Sequence, residues 1–259
     1  MVNAIHPSAI ISSKAEIEED VAIGPFCIVG DGAHIKKGSK LASNVIIEGN
    51  TVIGNNCTIY PFTSLGLPPQ DMKYKDEETG LTIGNNNTIR EYITIHRASV
   101  SGDGVTSIGD NNFLMAYVHI AHDCKIGSNV IMANVATLAG HVAVEDHAVI
   151  GGLVAIHQFT RIGAYAMVGG FSGVGQDIPP YMIASGARSK LFGLNAIGLK
   201  RHGFSDQTIN ELKKAYKILF REKHTLKEAI KKVQEDLPYT EEIKHLIEFI
   251  QKNKRGICR

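Results

Sequence analysis

Stepping through the chain by six from Ile5 meets a branched aliphatic residue at every stop, through Ile11, Ile17, Ile23, Val29, Ile35, Leu41, Ile47, Ile53 and Ile59 to Leu65. The register resumes at Ile83, Ile89 and Ile95. It slips by one residue through 101–107 and then runs unbroken from Ile108 to Val174, with Met132 as the only unbranched member. Four residues beyond each aliphatic stands a small side chain, among them Ala15, Cys27, Val45, Cys57, Val118, Cys124, Ala136 and Ala148. A helix repeats its apolar face every 3.6 residues and a flat strand every second residue, so neither yields a clean six. Short strands joined by regular turns do. Three hexads then make one coil of a triangular parallel β-helix, with successive coils about 4.8 Å apart. One hexad buries a single aliphatic, too little to order six backbones, so the coils must stabilise one another by stacking.

The repeat interval ends at Val174, shortly before Pro179-Pro180, and a helical pattern follows. Ser205 is placed to cap a helix carrying Ile209, Leu212, Tyr216 and Leu219. Thr225 and Glu228 form a capping box ahead of Ile230 and Val233, and Thr240 precedes Ile243, Leu246, Ile247 and Ile250. The chain thus divides into a β-helix over 1–186, with insertions near 66–82 and 101–107, and a helical domain over 187–259. The expected class is mainly β, with a small α-helical appendage.

Composition sharpens this picture in three ways. The chain has 26 glycines and no tryptophan, as narrow coils demand. Its formal charge of +1 conceals a split: residues 1–180 carry 10 basic and 17 acidic groups, and residues 181–259 carry 17 and 9. An acidic prism with a basic tail points to a negatively charged partner. The tail lacks aromatic platforms between its basic residues, so nucleic acid is not expected. Cys27, Cys57, Cys124 and Cys258 are far apart without a C-x-x-C pair, the start has no basic segment leading into an apolar run, and no stretch is apolar enough to span a membrane. A cytoplasmic protein is expected.

In a coil of three hexads, residues eighteen apart lie one above the other. His122, Gly140 and Gln158 form one such column, and Asp123, His141 and Phe159 the next. His119 lies one corner away and His157 flanks Gln158. Histidine is foreign to the repeat, yet six of the eleven fall between 96 and 157. An imidazole beside a carboxylate suits general-base removal of a hydroxyl proton, and Gly140 above His122 leaves room for a backbone N–H to face an oxyanion. His96 and His147 read as solvated surface residues. Cys124 occupies the inward small-residue phase and reads as a small hydrophobe, not a nucleophile. Three imidazoles could instead hold zinc. Lys73, in the first insertion, is a candidate phosphate contact.

HIAHDC at 119–124, NVATLAGHV at 134–142, AIHQF at 155–159, GQDIPPY at 175–181, NAIGLKRHGF at 195–204 and the loop QDMKY at 70–74 together resemble the acyl-carrier-protein-dependent UDP-N-acetylglucosamine O-acyltransferases of lipid A biosynthesis. The resemblance covers essentially the whole chain. It implies a homotrimer of left-handed β-helices with sites between subunits, acyl carrier protein and UDP-N-acetylglucosamine as partners, and no cofactor or metal, since the donor brings its own phosphopantetheine. It further implies His122 as general base for the sugar 3-hydroxyl, Asp123 as its orienting carboxylate and the Gly140 N–H as oxyanion donor. Asp71, Lys73, His119 and His141 would hold the glucosamine and phosphates, with His157 and Gln158 along the nucleotide and acyl path. Asn195 and Arg201 would reach the nucleotide from a neighbouring chain. Gly170 matches the acyl-chain ruler, where glycine implies room for a longer 3-hydroxyacyl chain. Ile197 and His202 depart from the family pattern of an acid after the asparagine and of paired arginines.

Other functions stay open at the level of sequence. They are a sibling hexapeptide-repeat acyltransferase (a UDP-3-O-acylglucosamine N-acyltransferase or a CoA-dependent acetyltransferase), a zinc-dependent hydratase, and a structural solenoid without catalysis.

Overall fold

The computed structural model describes residues 4–259. Within them the hexads become short strands that end on their repeat aliphatic, except ahead of the two insertions, where Ser64–Leu67 and Thr94–His96 run past it. Ala22–Ile23, Ile28–Val29 and His34–Ile35 form the three sides of one coil. Each strand pairs in parallel with its counterpart one coil on, Ala22 with Lys40 and Ile28 with Ile46. The described strands thereby build a first, second and third sheet of eleven, nine and eight strands, the β-helix that the six-residue period predicts. Ile35, Ile59, Leu114, Met132 and Leu138 point inward and are fully buried, as are the small residues Cys57, Val118, Ala136 and Ala148.

Four-residue corners join the sheets, and their third residue adopts a left-handed backbone even where it is not glycine. Asp123, His141 and Phe159 take it at φ of 62°, 60° and 64°. The corners are knit vertically, because the His141 N–H donates to the His122 carbonyl (3.0 Å) and the Phe159 N–H to that of Gly140 (3.1 Å). Residues one coil apart therefore face outward in columns.

The protruding loops differ from the sequence expectation at their edges. Ser64–Leu67 and Gly80–Ile83 are strands, which confines the first loop to 68–79. The second lies at 97–104, because Val105–Ile108 pairs with Gly80–Ile83. Leu81 and Thr106 fill the inward small-residue slot beside Thr51, all three fully buried, and this draws the flanks of both insertions into the third sheet.

At the far end Met182–Ser185 adds to Met167–Val168, and Lys190–Leu194 folds back antiparallel upon it. Part of the segment read as helical from 187 onward is thus a strand, held by Leu191, which is buried. Helices follow at Ala196–Arg201 (α1), Asp206–Phe220 (α2), Leu226–Asp236 (α3) and Glu241–Gln251 (α4). Ser205, Thr225 and Thr240 cap the last three, and Thr225 with Glu228 completes the capping box. The chain end returns to the prism, where the Asp177 N–H bonds the Gly256 carbonyl (3.0 Å) and the Cys258 N–H that of Asp177 (2.9 Å). Arg161 fastens this junction. Its guanidinium pairs with Asp177 at 2.7 Å, donates to the Phe249 carbonyl at 2.8 Å and lies over the Phe249 ring. Among the described residues no helix is long and apolar enough to cross a membrane.

Candidate functional site

The histidine cluster occupies the corner between the second and third sheets, where His119–Ile120 turns into Lys125–Ile126. His122 and Asp123 are consecutive corner residues, and the left-handed turn at Asp123 swings its carboxylate back under the imidazole. Asp123 Oδ2 lies 2.7 Å from His122 Nδ1. A carboxylate only accepts, so Nδ1 carries a proton, and in the neutral ring the lone pair is then on Nε2. The Asp123 side chain is 2 % exposed, against 16 % for His122. The buried carboxylate is satisfied on its other side by the Ser99 hydroxyl (2.7 Å) and the Ser99 N–H (3.2 Å).

One coil on, His141 stands edge-on to His122 with ring centroids 5.3 Å apart and stacks on Phe159 at 4.5 Å. Its Nε2 is 3.7 Å from Asp123 Oδ2. Gly140 lies against the His122 ring so closely that a Cβ there would meet Cε1 at 2.7 Å. Its own N–H has no partner among the described residues. On the edge between the third and first sheets the equivalent corner N–H is taken by a side chain of the next coil at two successive levels, Asp110 by Ser128 Oγ (2.9 Å) and Ser128 by Asp146 Oδ1 (2.7 Å). At this corner the next coil supplies Gln158, which leaves the Gly140 donor free. A free N–H beside an imidazole lone pair can stabilise an oxyanion while the ring moves a proton.

His119 accompanies the pair on the second sheet, with Nδ1 2.7 Å from Thr94 Oγ1. Burial, reinforced by the neighbouring His96 and His122, pushes its imidazole down to about 4. His119 is therefore neutral near pH 7. Burial pushes the Cys124 thiol up to about 12, and its Sγ donates to the Ala139 carbonyl, as an inward small residue should. His122, Asp123 and His141 could each offer a ligand atom within 4.8 Å of the others, the one such metal-competent group among the described residues.

Asp71 and Lys73 lie on the 68–79 loop, which leaves the prism at the same edge two coils N-terminal to the cluster. The Lys73 N–H donates to Asp71 Oδ1 at 3.0 Å, and no hydrogen bond or ion pair joins either side chain to the His122 cluster among the described residues. Tyr74, bonded by Arg97, and His96, bonded to the Pro68 carbonyl, pin the loop down. His157 is exposed one coil past His141, and its Nδ1 accepts from Arg255 at 3.0 Å. Beside it a cavity of about 520 Å³ is lined by Gln176, Arg188 and Ser189. Gln158 is exposed next to it.

The remaining candidates stand at other corners. Asn195 and Arg201 line a cavity of about 750 Å³ with His147, Tyr165, Met167 and His202, at the edge between the third and first sheets. Both polar atoms of Asn195 are engaged, capping α1 through Gly198 and donating to the Tyr165 carbonyl at 2.9 Å. Gly170 is exposed between the first and second sheets, where a Cβ would approach the Gly152 carbonyl at 3.2 Å. One chain therefore brings together His119, His122, Asp123, Gly140 and His141, and holds Asn195 and Arg201 on a second edge and Gly170 on a third.

Sequence reasoning missed Ser99, Ser101 and Thr106 around Asp123, and it read His96 and His147 as solvated. His96 is 8 % exposed and meets His119 edge-on at 5.4 Å. His147 stacks on Tyr165 at 4.6 Å. The available signal was that the coil lengthened by the second insertion pairs Thr94 with His119, which sets His96 two residues along the same strand.

Comparison with known proteins gives a consistent result. Two family models match: Udp N-acetylglucosamine O-acyltransferase, domain 2, over 177–258, and bacterial transferase hexapeptide repeats over 32–66 and 106–140. An acyl-[acyl-carrier-protein]–UDP-N-acetylglucosamine O-acyltransferase of Thermodesulfovibrio yellowstonii is 72% identical over 258 residues and covers all of both chains. That of Syntrophobacter fumaroxidans is 46% identical, covering 98% of this chain and 99% of its own. Among solved structures, the UDP-N-acetylglucosamine O-acyltransferase of Moraxella catarrhalis superposes with a TM-score of 0.95 at 43% identity, over 98% of this chain and 99% of that one. The UDP-N-acetylglucosamine acyltransferase of Arabidopsis does so at 0.86 and 37%, over 98% and 100%.

Proposed function

The chain belongs to the acyl-[acyl-carrier-protein]–UDP-N-acetylglucosamine O-acyltransferase family, the enzymes of the first step of lipid A biosynthesis, and from that premise we propose that His122 carries the chemistry as a general base. Its Nε2 takes the proton of the sugar 3-hydroxyl as that oxygen attacks the thioester carbonyl of a 3-hydroxyacyl carrier protein. The carbonyl oxygen becomes an oxyanion and accepts the Gly140 N–H. Collapse breaks the C–S bond, and the protonated His122 returns its proton to the departing sulfur. No acyl-enzyme is required, which suits a corner whose only cysteine is buried and held protonated. The observation that carries the reading is the 2.7 Å bond from His122 to a buried carboxylate, beside an unengaged backbone donor.

His119 and His141, with Asp71 and Lys73 from the 68–79 loop, are proposed to hold the glucosamine and phosphates. His157 and Gln158 continue the path on the next coil. Asn195, Arg201 and Gly170 stand on other edges, so a single chain cannot bring them to the same substrate, and this supports a homotrimer with sites between subunits. Asn195 would then act by fixing α1 and thereby Arg201. The cation-rich tail is proposed to dock the acidic carrier protein. The four cysteines of the chain are all free and buried, which suits the proposed cytoplasmic location.

His122→Ala should lower acyl transfer by about 10²- to 10⁴-fold with the fold intact. Near-normal turnover by this variant would refute the mechanism. A bound cation at His122, Asp123 and His141 is the second reading, and stoichiometric zinc in the purified active protein would favour it.

A further inference from the structure

Asp123 is held by more than its histidine. The 97–104 loop closes over the far side of the carboxylate, and every contact there comes from a residue that the repeat pattern could not place. Ser99 is 3 % exposed. Its hydroxyl donates to Asp123 Oδ2 at 2.7 Å, and its N–H lies 3.2 Å from the same oxygen and 3.3 Å from Oδ1. The Ser99 hydroxyl also meets Ser101 Oγ at 2.6 Å, and Ser101 Oγ reaches His141 Nε2 at 3.4 Å. On the backbone side the Asp123 N–H donates to Thr106 Oγ1 at 2.9 Å. Gly102 allows this closure, since a Cβ at that position would stand 2.3 Å from Asp123 Oδ1. Lys125 and Asp103 anchor the outer edge of the loop as an ion pair.

We propose that Ser99 is a positioning residue for acyl transfer, acting through Asp123 on His122. The inference rests on the general-base reading of His122. A buried carboxylate with one partner could rotate away from Nδ1. Three donors converging from Ser99 and His122 fix its plane, so that Oδ2 faces the imidazole and His122 retains the tautomer with a free Nε2. Hydrogen bonds to a charged acceptor are stronger than neutral ones, and the Ser99 hydroxyl supplies one directly at the oxygen that His122 uses. Because Ser99 touches no substrate in this scheme, its loss should appear in turnover and not in substrate affinity.

The test is steady-state kinetics of Ser99→Ala, Ser99→Thr, His122→Ala and Asp123→Asn, together with the double variant of Ser99→Ala and Asp123→Asn. Ser99→Ala should lower kcat by about tenfold with both KM values within about twofold, and shift the acid limb of the kcat/KM profile upward as the carboxylate loses a competing donor. Ser99→Thr, which restores the hydroxyl, should recover most of the turnover. In the Asp123→Asn background the Ser99→Ala effect should vanish, the non-additivity expected of residues acting as one unit. If Ser99→Ala is too unstable to assay, Gly102→Ala, which pushes the loop off Asp123, should show the same kcat loss and the same non-additivity. The proposal is overturned if His122→Ala is inactive while Ser99→Ala turns over like the wild type, if the loss resides in KM, or if it persists undiminished with Asn at 123. An active His122→Ala would instead overturn the mechanism beneath it.

Discussion

Replacing Gly140 with alanine perturbs the catalytic corner without removing any functional group. The new Cβ would lie 2.7 Å from Cε1 of His122, 2.9 Å from Nε2 and 3.3 Å from Nδ1. Non-bonded carbons rest at about 3.5–4.0 Å, so the ring must withdraw by roughly 1 Å. Asp123 blocks a simple retreat, holding Nδ1 at 2.7 Å. The imidazole must therefore tilt, carrying Nε2 off the line between the acceptor hydroxyl and the thioester. Misplacement of a reacting group on this scale costs about 10²-fold in rate. The backbone at 140 is not left-handed, so alanine fits it without strain. Overpacking costs typically about 1–3 kcal/mol, and the part-exposed ring can relieve much of it. In an assay of 3-hydroxyacyl transfer from carrier protein to UDP-N-acetylglucosamine, kcat should fall by about 10²-fold, while the melting temperature drops by only a few degrees. Turnover within threefold of wild type from a natively melting protein would show that this ring position is not where the proton moves.

Three further outcomes follow from the same geometry. Cys124, neutral because burial holds its thiol at about 12, should resist alkylation at pH 8 in the folded protein and react on unfolding; inactivation tracking native labelling would contradict its structural role. Burial lowers His119 to about 4 from its ordinary 6.5, so the unfolded chain binds a proton that the folded one refuses between those values. Stability is then greatest above pH 6.5 and declines as pH falls toward 4, and His119→Asn should flatten that slope in thermal melts; an unchanged slope would refute the assignment. The KM for the carrier protein should rise with ionic strength if the tail of 17 basic and 9 acidic residues docks it, and a flat salt profile would remove that docking surface.

The prism was legible because its physics is periodic. One aliphatic per side of a narrow triangle writes a six-residue signal, and eighteen-residue counting stacked Asp123 beneath His141 and His122 beneath Gly140, as the structure has them. Legibility failed where another constraint replaced the period. Lys190–Leu194 takes its conformation from an antiparallel partner, Met182–Ser185, and has no hexad to announce it. Ser99 and Ser101 lie in an insertion, where counting has no origin, and their approach to Asp123 is visible only in space. The resemblance implies Asn195 as a nucleotide contact, and only the structure shows that its side chain also caps α1 and bonds the Tyr165 carbonyl. A motif records which residue stands at a position and is silent about which of its atoms remain unused.

The stacked corners have a metrical consequence. Outward groups in one column can be separated only by whole multiples of the inter-strand distance, about 4.8 Å. His122, Gly140 and Gln158 are three marks on such a scale, and Gly152 and Gly170 are two marks on another. A molecule lying along either edge is gauged in discrete steps, not continuously. Inserting or deleting one complete coil would shift every mark beyond it by a single graduation and leave each local corner unaltered. Changes in the length of ligand such a protein accepts should accordingly come as jumps of one rung, with substitutions at a single corner supplying the finer adjustment between them.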